Sequence, residues 1–148
     1  MSAPKQAVIK ALETLLADSY TLYLKTQSYH WNVKGPMFTT LHTLFETQYT
    51  EYAVAIDEIA ERIQALGSPS PGSFSQFAEL ASVQEDTGVP AAEDMIRNLV
   101  ADAETLAASA KSLVRAAEEA GDDASVDLGV RRIDIHDKNA WMLRSHLE

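Results

Sequence analysis

The chain has 148 residues, 46% apolar and 23% charged, with no cysteine and with 22 acidic against 12 basic residues, a formal net charge of −10. That length suits one domain, residues 1–148, with a core of its own, and six Gly and five Pro are too few for a loop-rich β fold or a disordered chain. Without thiols, any metal site must use His, Asp and Glu, and the acidic excess favours cations over nucleic acid as partners.

The first helix is predicted from about Pro4 to Val33. Val8, Leu12, Leu15, Leu16, Ser19, Leu22, Tyr23 and Thr26 recur at three- and four-residue steps. Pro4 suits a first helical turn, and Gly35 suits a position just past the end. A second helix is predicted after Gly35-Pro36, running to Leu66, with Leu41, Phe45, Gln48, Tyr52, Ala55, Ile59, Ile63 and Leu66 as its apolar stripe. The stretch from Gly67 to Val89 is long for a connection, and Phe74, Phe77, Leu80 and Ala81 suggest one short helix inside it. A third long helix is expected from Pro90 to Ala120, ended by Gly121. The fourth is expected to start near Asp122–Ser125, which can cap it, and to reach Leu147. Four long helices with a long crossover between the second and third predict an all-α, ferritin-like four-helix bundle rather than a short-looped one. No apolar run approaches the roughly 20 residues of a membrane span. The start, MSAPKQAVIKALETLLADSY, lacks a basic leader before an unbroken apolar stretch, so no signal peptide is expected.

Helix two carries a second stripe beside the apolar one: His42 and Glu46, then Asp57 and Glu61. Each pair is spaced i,i+4 and sits one turn apart on one face. His30 and Trp31 lie near the end of helix one. Two imidazoles and three carboxylates form a nitrogen–oxygen donor set suited to iron, manganese or zinc. Taken alone, each acidic pair also reads as a solvated face, His30 as a packed histidine, and His42 with Glu46 as a surface ion pair. Their joint occurrence points to a metal. Glu46 and Asp57 are 11 residues apart, close to three turns, which puts them on one face but about 16 Å apart along the axis. One metal cannot reach both with bonds of roughly 2 Å. Two antiparallel copies of helix two, related by a two-fold axis near Glu51–Tyr52, would face His42 and Glu46 of one chain with Asp57 and Glu61 of the other. An isologous dimer would make two such sites.

The run His30-Trp31-Asn32-Val33-Lys34-Gly35-Pro36, followed by Leu41-His42 and Glu46, resembles the first signature of the Dps family, the bacterial mini-ferritins. Ile56-Asp57-Glu58-Ile59-Ala60-Glu61-Arg62, ending in Leu66-Gly67, resembles the second. LADSYTLYLKTQSYHWNV in helix one and His136-Asp137-Lys138-Asn139-Ala140-Trp141-Met142-Leu143 near the C-terminus are similar to that family too. The resemblance spans essentially the whole chain. It implies a hollow homododecamer whose ferroxidase sites lie at the two-fold interface, which oxidises Fe(II), typically with hydrogen peroxide, and stores ferric mineral. Carried over by position, the iron ligands are His30, His42 and Glu46 of one subunit with Asp57 and Glu61 of its partner, holding one or two irons. Glu46 stands where many relatives have Asp. Beside His30, Trp31 reads either as an electron donor that traps stray oxidant or as a core aromatic, and Trp141 reads as packing. Asp122, Asp123 and Asp127 read either as cap and dipole partners of helix four or, as the resemblance implies, as the lining of three-fold pores that draw in Fe²⁺. Glu51 and Glu58 read as solvated acids or as sites where mineral nucleates.

Many members of the family also bind DNA, commonly through a Lys/Arg-rich tail. The segment before helix one holds only Lys5, and the chain ends Arg144-Ser145-His146-Leu147-Glu148. Twelve subunits at −10 give a formal shell charge of about −120. DNA binding is therefore expected to be weak or absent at neutral pH and physiological salt. The alternatives to an iron-oxidising shell are an architectural DNA-binding protein and a non-catalytic bundle that holds zinc in the same ligands. A cytoplasmic placement is expected, with nucleoid association as the alternative.

Overall fold

The computed structural model describes residues 1–148 and is entirely helical. Helix α1 spans Ala3–Asn32, α2 Phe38–Ala65, α3 Phe74–Leu80, α4 Ala92–Ala120 and α5 Asp123–Arg144. The long helices start within two or three residues of their predicted positions, and α3 is the short helix expected in the crossover. Helix four differs from its expectation at the end. Its α-helical part stops at Arg144, and Ser145–Leu147 closes as a single 3₁₀ turn.

Local chemistry explains the ends. Ser2 accepts a hydrogen bond from the Lys5 amide at 3.3 Å, and Pro4 sits in the first turn, where its missing donor costs nothing. Gly121 ends α4 in a left-handed conformation (φ 67°), and the Asp122 amide returns to the Ala117 carbonyl at 2.9 Å. Asp122 then caps α5 at once, accepting from the Ser125 amide at 3.1 Å. Two 20-plus-residue helices can therefore turn back on each other within a residue or two.

α1 packs on α2 and on α4, and α4 packs on α5 along its length. Every residue of the predicted α2 stripe is buried. In α1 the stripe is buried except Tyr23, which is half-buried. Where α5 meets α4, a Cβ at Gly129 would lie 2.7 Å from Val114 Cγ2 and 3.3 Å from the Ala110 carbonyl oxygen, so the two helices approach too closely for a side chain. The backbones of α2 and α5, by contrast, stand well apart. Long polar side chains bridge that seam. Arg62 donates to Ser125 and Asp122, Arg131 pairs with Glu58, the Arg132 fork grips both oxygens of Glu51, and Asn139 donates to the Tyr52 hydroxyl.

The core is divided. One apolar cluster gathers residues such as Leu12, Ile59, Leu113 and Leu128, and a second gathers Leu22, Phe45, Ile96 and Leu143. Within the bundle also lie buried Ser19, Thr26, Gln48, Arg132 and His136.

The crossover is strapped to one face of α1 at three heights. Asp18 accepts from the Ser82 and Val83 amides at 2.6 and 2.9 Å and from Ser109 of α4 at 3.2 Å. Lys25 donates to the Gln84 carbonyl at 2.9 Å and pairs with Asp102 at 2.8 Å. The Tyr29 hydroxyl donates to Asp86 at 2.5 Å and accepts from Asn98 at 3.1 Å. Burial pushes the Asp18 carboxyl above its ordinary range, against the pull of the amides it binds.

Candidate metal centre

His30 lies in the last turn of α1 and His42 in the second turn of α2, and the Gly35 turn folds them face to face. Their rings stack with centroids 3.8 Å apart and planes 12° from parallel. The two residues also lock each other reciprocally. His30 Nδ1 donates to the His42 carbonyl at 2.6 Å, and His42 Nδ1 donates to the His30 carbonyl at 2.8 Å. A carbonyl can only accept, so both Nδ1 atoms carry the proton. In the neutral rings this leaves the Nε2 lone pairs free to bind a metal. The His30 carbonyl belongs to the last turn of α1, where backbone acceptors lack helical partners, so the lock also finishes that helix.

Around the pair, Phe38 stacks on His42 at 5.0 Å, and the edge of the Tyr49 ring meets His30 at 5.3 Å. His30 is buried, while the Glu46 carboxylate is 60% exposed, with Oε1 3.6 Å from His30 Nε2. Glu46 therefore faces outward from a rigid imidazole floor.

Asp57 and Glu61 lie farther along α2, both exposed. Their carboxyls are close enough to share a hydrogen bond, and this neighbour raises the Glu61 carboxyl above its ordinary value. Two carboxylates held this way are relieved by a shared proton or by a cation. Within one chain, no three His, Asp or Glu side chains converge closely enough to hold a metal. The structure thus places His30 against His42 and, at 3.6 Å, against Glu46, short of a metal-holding cluster, and leaves Asp57 and Glu61 farther along α2.

Other candidate residues fall elsewhere. Trp31 is 61% exposed, so it is not a core aromatic of this chain. It borders a groove of about 470 Å³ with Tyr20, Leu24, Phe74 and Phe77. Trp141 is equally exposed, so its expected packing role does not hold within the chain. Asp122 is occupied as a cap. Partial burial would raise its carboxyl, but Ser125, donating through amide and hydroxyl, and Arg62 at 2.7 Å hold it below the ordinary range. Asp127 pairs with Arg131 at 3.0 Å, while Asp123 is exposed in the first turn of α5. Glu51 and Glu58 are the acid partners of Arg132 and Arg131. The sequence reading passed over Tyr49, although it lies three residues past Glu46 and so on the same face. It also passed over Asp18, whose single buried carboxylate has no local pattern to mark it.

A helical bundle with a crossover helix and a histidine–carboxylate face defines a class, and the comparisons agree. The family described as Ferritin-like domain matches residues 9–148. The structure superposes on the crystal structure of a Dps protein from Bacillus brevis with a TM-score of 0.97 at 35% identity, covering 100% of this chain and 99% of that one. It superposes on Dps from Vibrio cholerae O1, described as a member of a broad superfamily of ferritin-like diiron-carboxylate proteins, with a TM-score of 0.93 at 33% identity, covering 98% and 91%. DNA protection during starvation protein 2 of Bacillus anthracis is 39% identical over 140 residues, 95% of this chain and 96% of that one. The chain is a ferritin-like protein. Within that superfamily it belongs to the Dps family.

Proposed function

We propose that this protein is an iron-oxidising and iron-storing shell. Fe(II) is its substrate, hydrogen peroxide its preferred oxidant, and ferric mineral its stored product. The observation that carries this reading is the reciprocal His30–His42 lock, which leaves both Nε2 atoms without a hydrogen bond to the backbone and sets that of His30 3.6 Å from Glu46 Oε1. The donor set fits iron: imidazole nitrogens that add no charge, and hard carboxylate oxygens. Asp57 and Glu61 complete the set from a two-fold-related copy, since about 16 Å of helix separates them from Glu46 within one chain. Two Fe(II) ions give one electron each to peroxide, and with two protons the products are two Fe(III) and two waters. Pairing the electrons avoids hydroxyl radical.

An assembly is consistent with the surface. Leu24, Trp31 and Phe38 are exposed on α1 and α2, the elements that carry the candidate site, and Phe74 is exposed on α3 in the crossover. The proposed assembly is the dodecamer usual for relatives of this kind. At its three-fold contacts, exposed Asp123 is the stronger candidate for guiding Fe²⁺ inward, because Asp122 is spent on its cap and Asp127 pairs with Arg131. No helix is long and apolar enough to cross a membrane.

The test is particle size together with anomalous scattering at the iron edge from crystals soaked in Fe(II). The expected result is a shell with iron at the subunit interface, between His30 of one chain and Asp57 of another. Iron held by ligands from one chain alone would overturn it.

The relative from Bacillus anthracis is named for DNA protection. A shell of twelve such chains carries a formal charge of about −120, and phosphate binding needs basic contacts. In a gel-shift assay at physiological salt and neutral pH, no retarded complex is expected. A tight, salt-resistant complex would favour the architectural reading.

A further inference from the structure

Five tyrosines are present, and they fall into two kinds. Tyr29 and Tyr52 are buried core residues whose hydroxyls are hydrogen-bonded, to Asp86 and Asn98 and to Asn139. Tyr20, Tyr23 and Tyr49 are half-buried, and no side-chain or backbone group of the chain hydrogen-bonds their hydroxyls. Instead their rings form a continuous contact series that starts at the metal centre. The Tyr49 centroid lies 5.3 Å from the His30 ring, Tyr23 5.9 Å from Tyr49, and Tyr20 5.8 Å from Tyr23. Tyr20 ends the series against α3, stacked on Phe77 at 5.0 Å and edge-on to Phe74 at 6.3 Å.

Packing alone would be served as well by phenylalanine, since a buried tyrosine hydroxyl normally finds a partner. What phenylalanine lacks is an ionisable phenol that can give up an electron and a proton together. Half-burial leaves each phenol a route for that proton to water.

We propose that Tyr49, Tyr23 and Tyr20 form an electron relay that supplies the second electron when only one Fe(II) occupies the site. This rests on the Fe(II)-oxidising reading above. One Fe(II) and one peroxide would otherwise release hydroxyl radical. With the relay, Fe(II) gives one electron and the Tyr49 phenol gives one electron and its proton. Together with one solvent proton they cleave the O–O bond and leave Fe(III), a tyrosyl radical and two waters. The radical moves outward by electron transfer from Tyr23 and then Tyr20, each phenol passing its proton to water as the inner one recovers it. A second Fe(II) arriving at the site returns the electron, and with a proton from water restores the phenol. The sum equals the paired reaction, spread over two iron arrivals. Tyr49 is the entry to the relay, and Tyr20 holds the oxidising equivalent at the end of the series away from His30.

The experiment loads the assembled shell with less than one Fe(II) per site and adds peroxide. Fe(III) absorbance is followed, freeze-quenched samples are read by electron paramagnetic resonance, and oxidised residues are located by peptide mass spectrometry. The parent shell is expected to form Fe(III) and a tyrosyl signal, with oxidation products at Tyr20 and Tyr23. Tyr49→Phe is expected to form Fe(III) but to lose those products and to release spin-trappable hydroxyl radical. Tyr20→Phe is expected to keep the radical and shift it to Tyr23. Size-exclusion chromatography of each variant checks that the shell persists, which the retained rings favour. Fe(III) formation with oxidation confined to Trp31, or unchanged products in Tyr49→Phe, would overturn the relay alone. No Fe(III) at all would overturn both the relay and the function on which it rests.

Discussion

Replacing His30 and His42 together by alanine is expected to slow the initial rate of peroxide-dependent Fe(II) oxidation by well over a hundredfold, with no change in shell size. Loss of groups that merely support metal ligands costs about 10–100-fold, and this change removes two of the proposed ligands themselves. It also removes the reciprocal Nδ1–carbonyl bonds and the ring stack, so the end of α1 is no longer tied to the start of α2 at that point. Stopped-flow ferric absorbance gives the rate, and light scattering gives the particle size. A partner experiment makes the test sharper. Asp57→Ala/Glu61→Ala is expected to be as slow as the histidine variant, because each lacks one half of every site. Refolded together, the two variants form mixed dimers in which one of the two sites receives both intact halves and the other receives neither. Activity is therefore expected to return in the mixture, to about half the parent value in mixed dimers alone, as follows from two sites per isologous pair. A mixture as slow as either variant would mean that the halves do not meet across the interface.

The second large effect concerns acid stability. His136 is fully buried, its ring stacks on Tyr52 at 5.6 Å, and neither ring nitrogen has a hydrogen-bond partner. Burial, reinforced by the Arg132 charge one turn away, lowers its pKa to about 3. An unfolded chain takes up the same proton near the ordinary value of 6.5. Between those limits unfolding binds a proton that the native state refuses. The stability contributed by neutral His136 is thus complete above about pH 6.5 and is lost as pH falls toward 3, by at most about 1.4 kcal/mol per pH unit. The raised carboxyls of Asp18 and Asp102 act in the opposite sense, since each is more readily protonated in the folded chain and so favours it at low pH. His136→Phe keeps an aromatic ring against Tyr52 and removes the titration. Its denaturant-derived stability is expected to fall less steeply than that of the parent from pH 6.5 downward. In the parent, the His136 ring resonances are expected not to move between pH 8 and pH 5. A normal titration would show that the ring is hydrated.

The sequence made the bundle legible because its signals are local and periodic. Buried residues at three- and four-residue steps marked all of α2, and Gly121 marked the α4–α5 turn. The candidate metal face was legible for the same reason: helical spacing places His42, Glu46, Asp57 and Glu61 on one side by geometry alone. What resisted reading depends on distant partners. Asp18 looks like any surface acid until residues 82 and 83 arrive to be bound. Asp122 read equally as cap or pore until Arg62, 60 residues earlier, reached it. Trp141 reads as packing, and a core aromatic is one of the two readings of Trp31, because large aromatics are usually inside, yet both are 61% exposed in the chain by itself. The tyrosine series was hidden in the same way, since Tyr23 and Tyr49 come together only when α1 and α2 fold back on each other.

The divided core has a practical consequence. Leu12, Ile59, Leu113 and Leu128 share one apolar cluster, whereas Phe45, Tyr29 and Leu41 around the His30–His42 pair belong to the other. Substitutions in separate, non-touching groups tend to add rather than interfere. Each cluster underlies one half of the proposed iron site: the histidines stand over one, and Asp57 and Glu61, on either side of Ile59, stand over the other. Repacking either end for heat tolerance should therefore register in the iron chemistry, whereas changes made at both ends should combine nearly additively in stability.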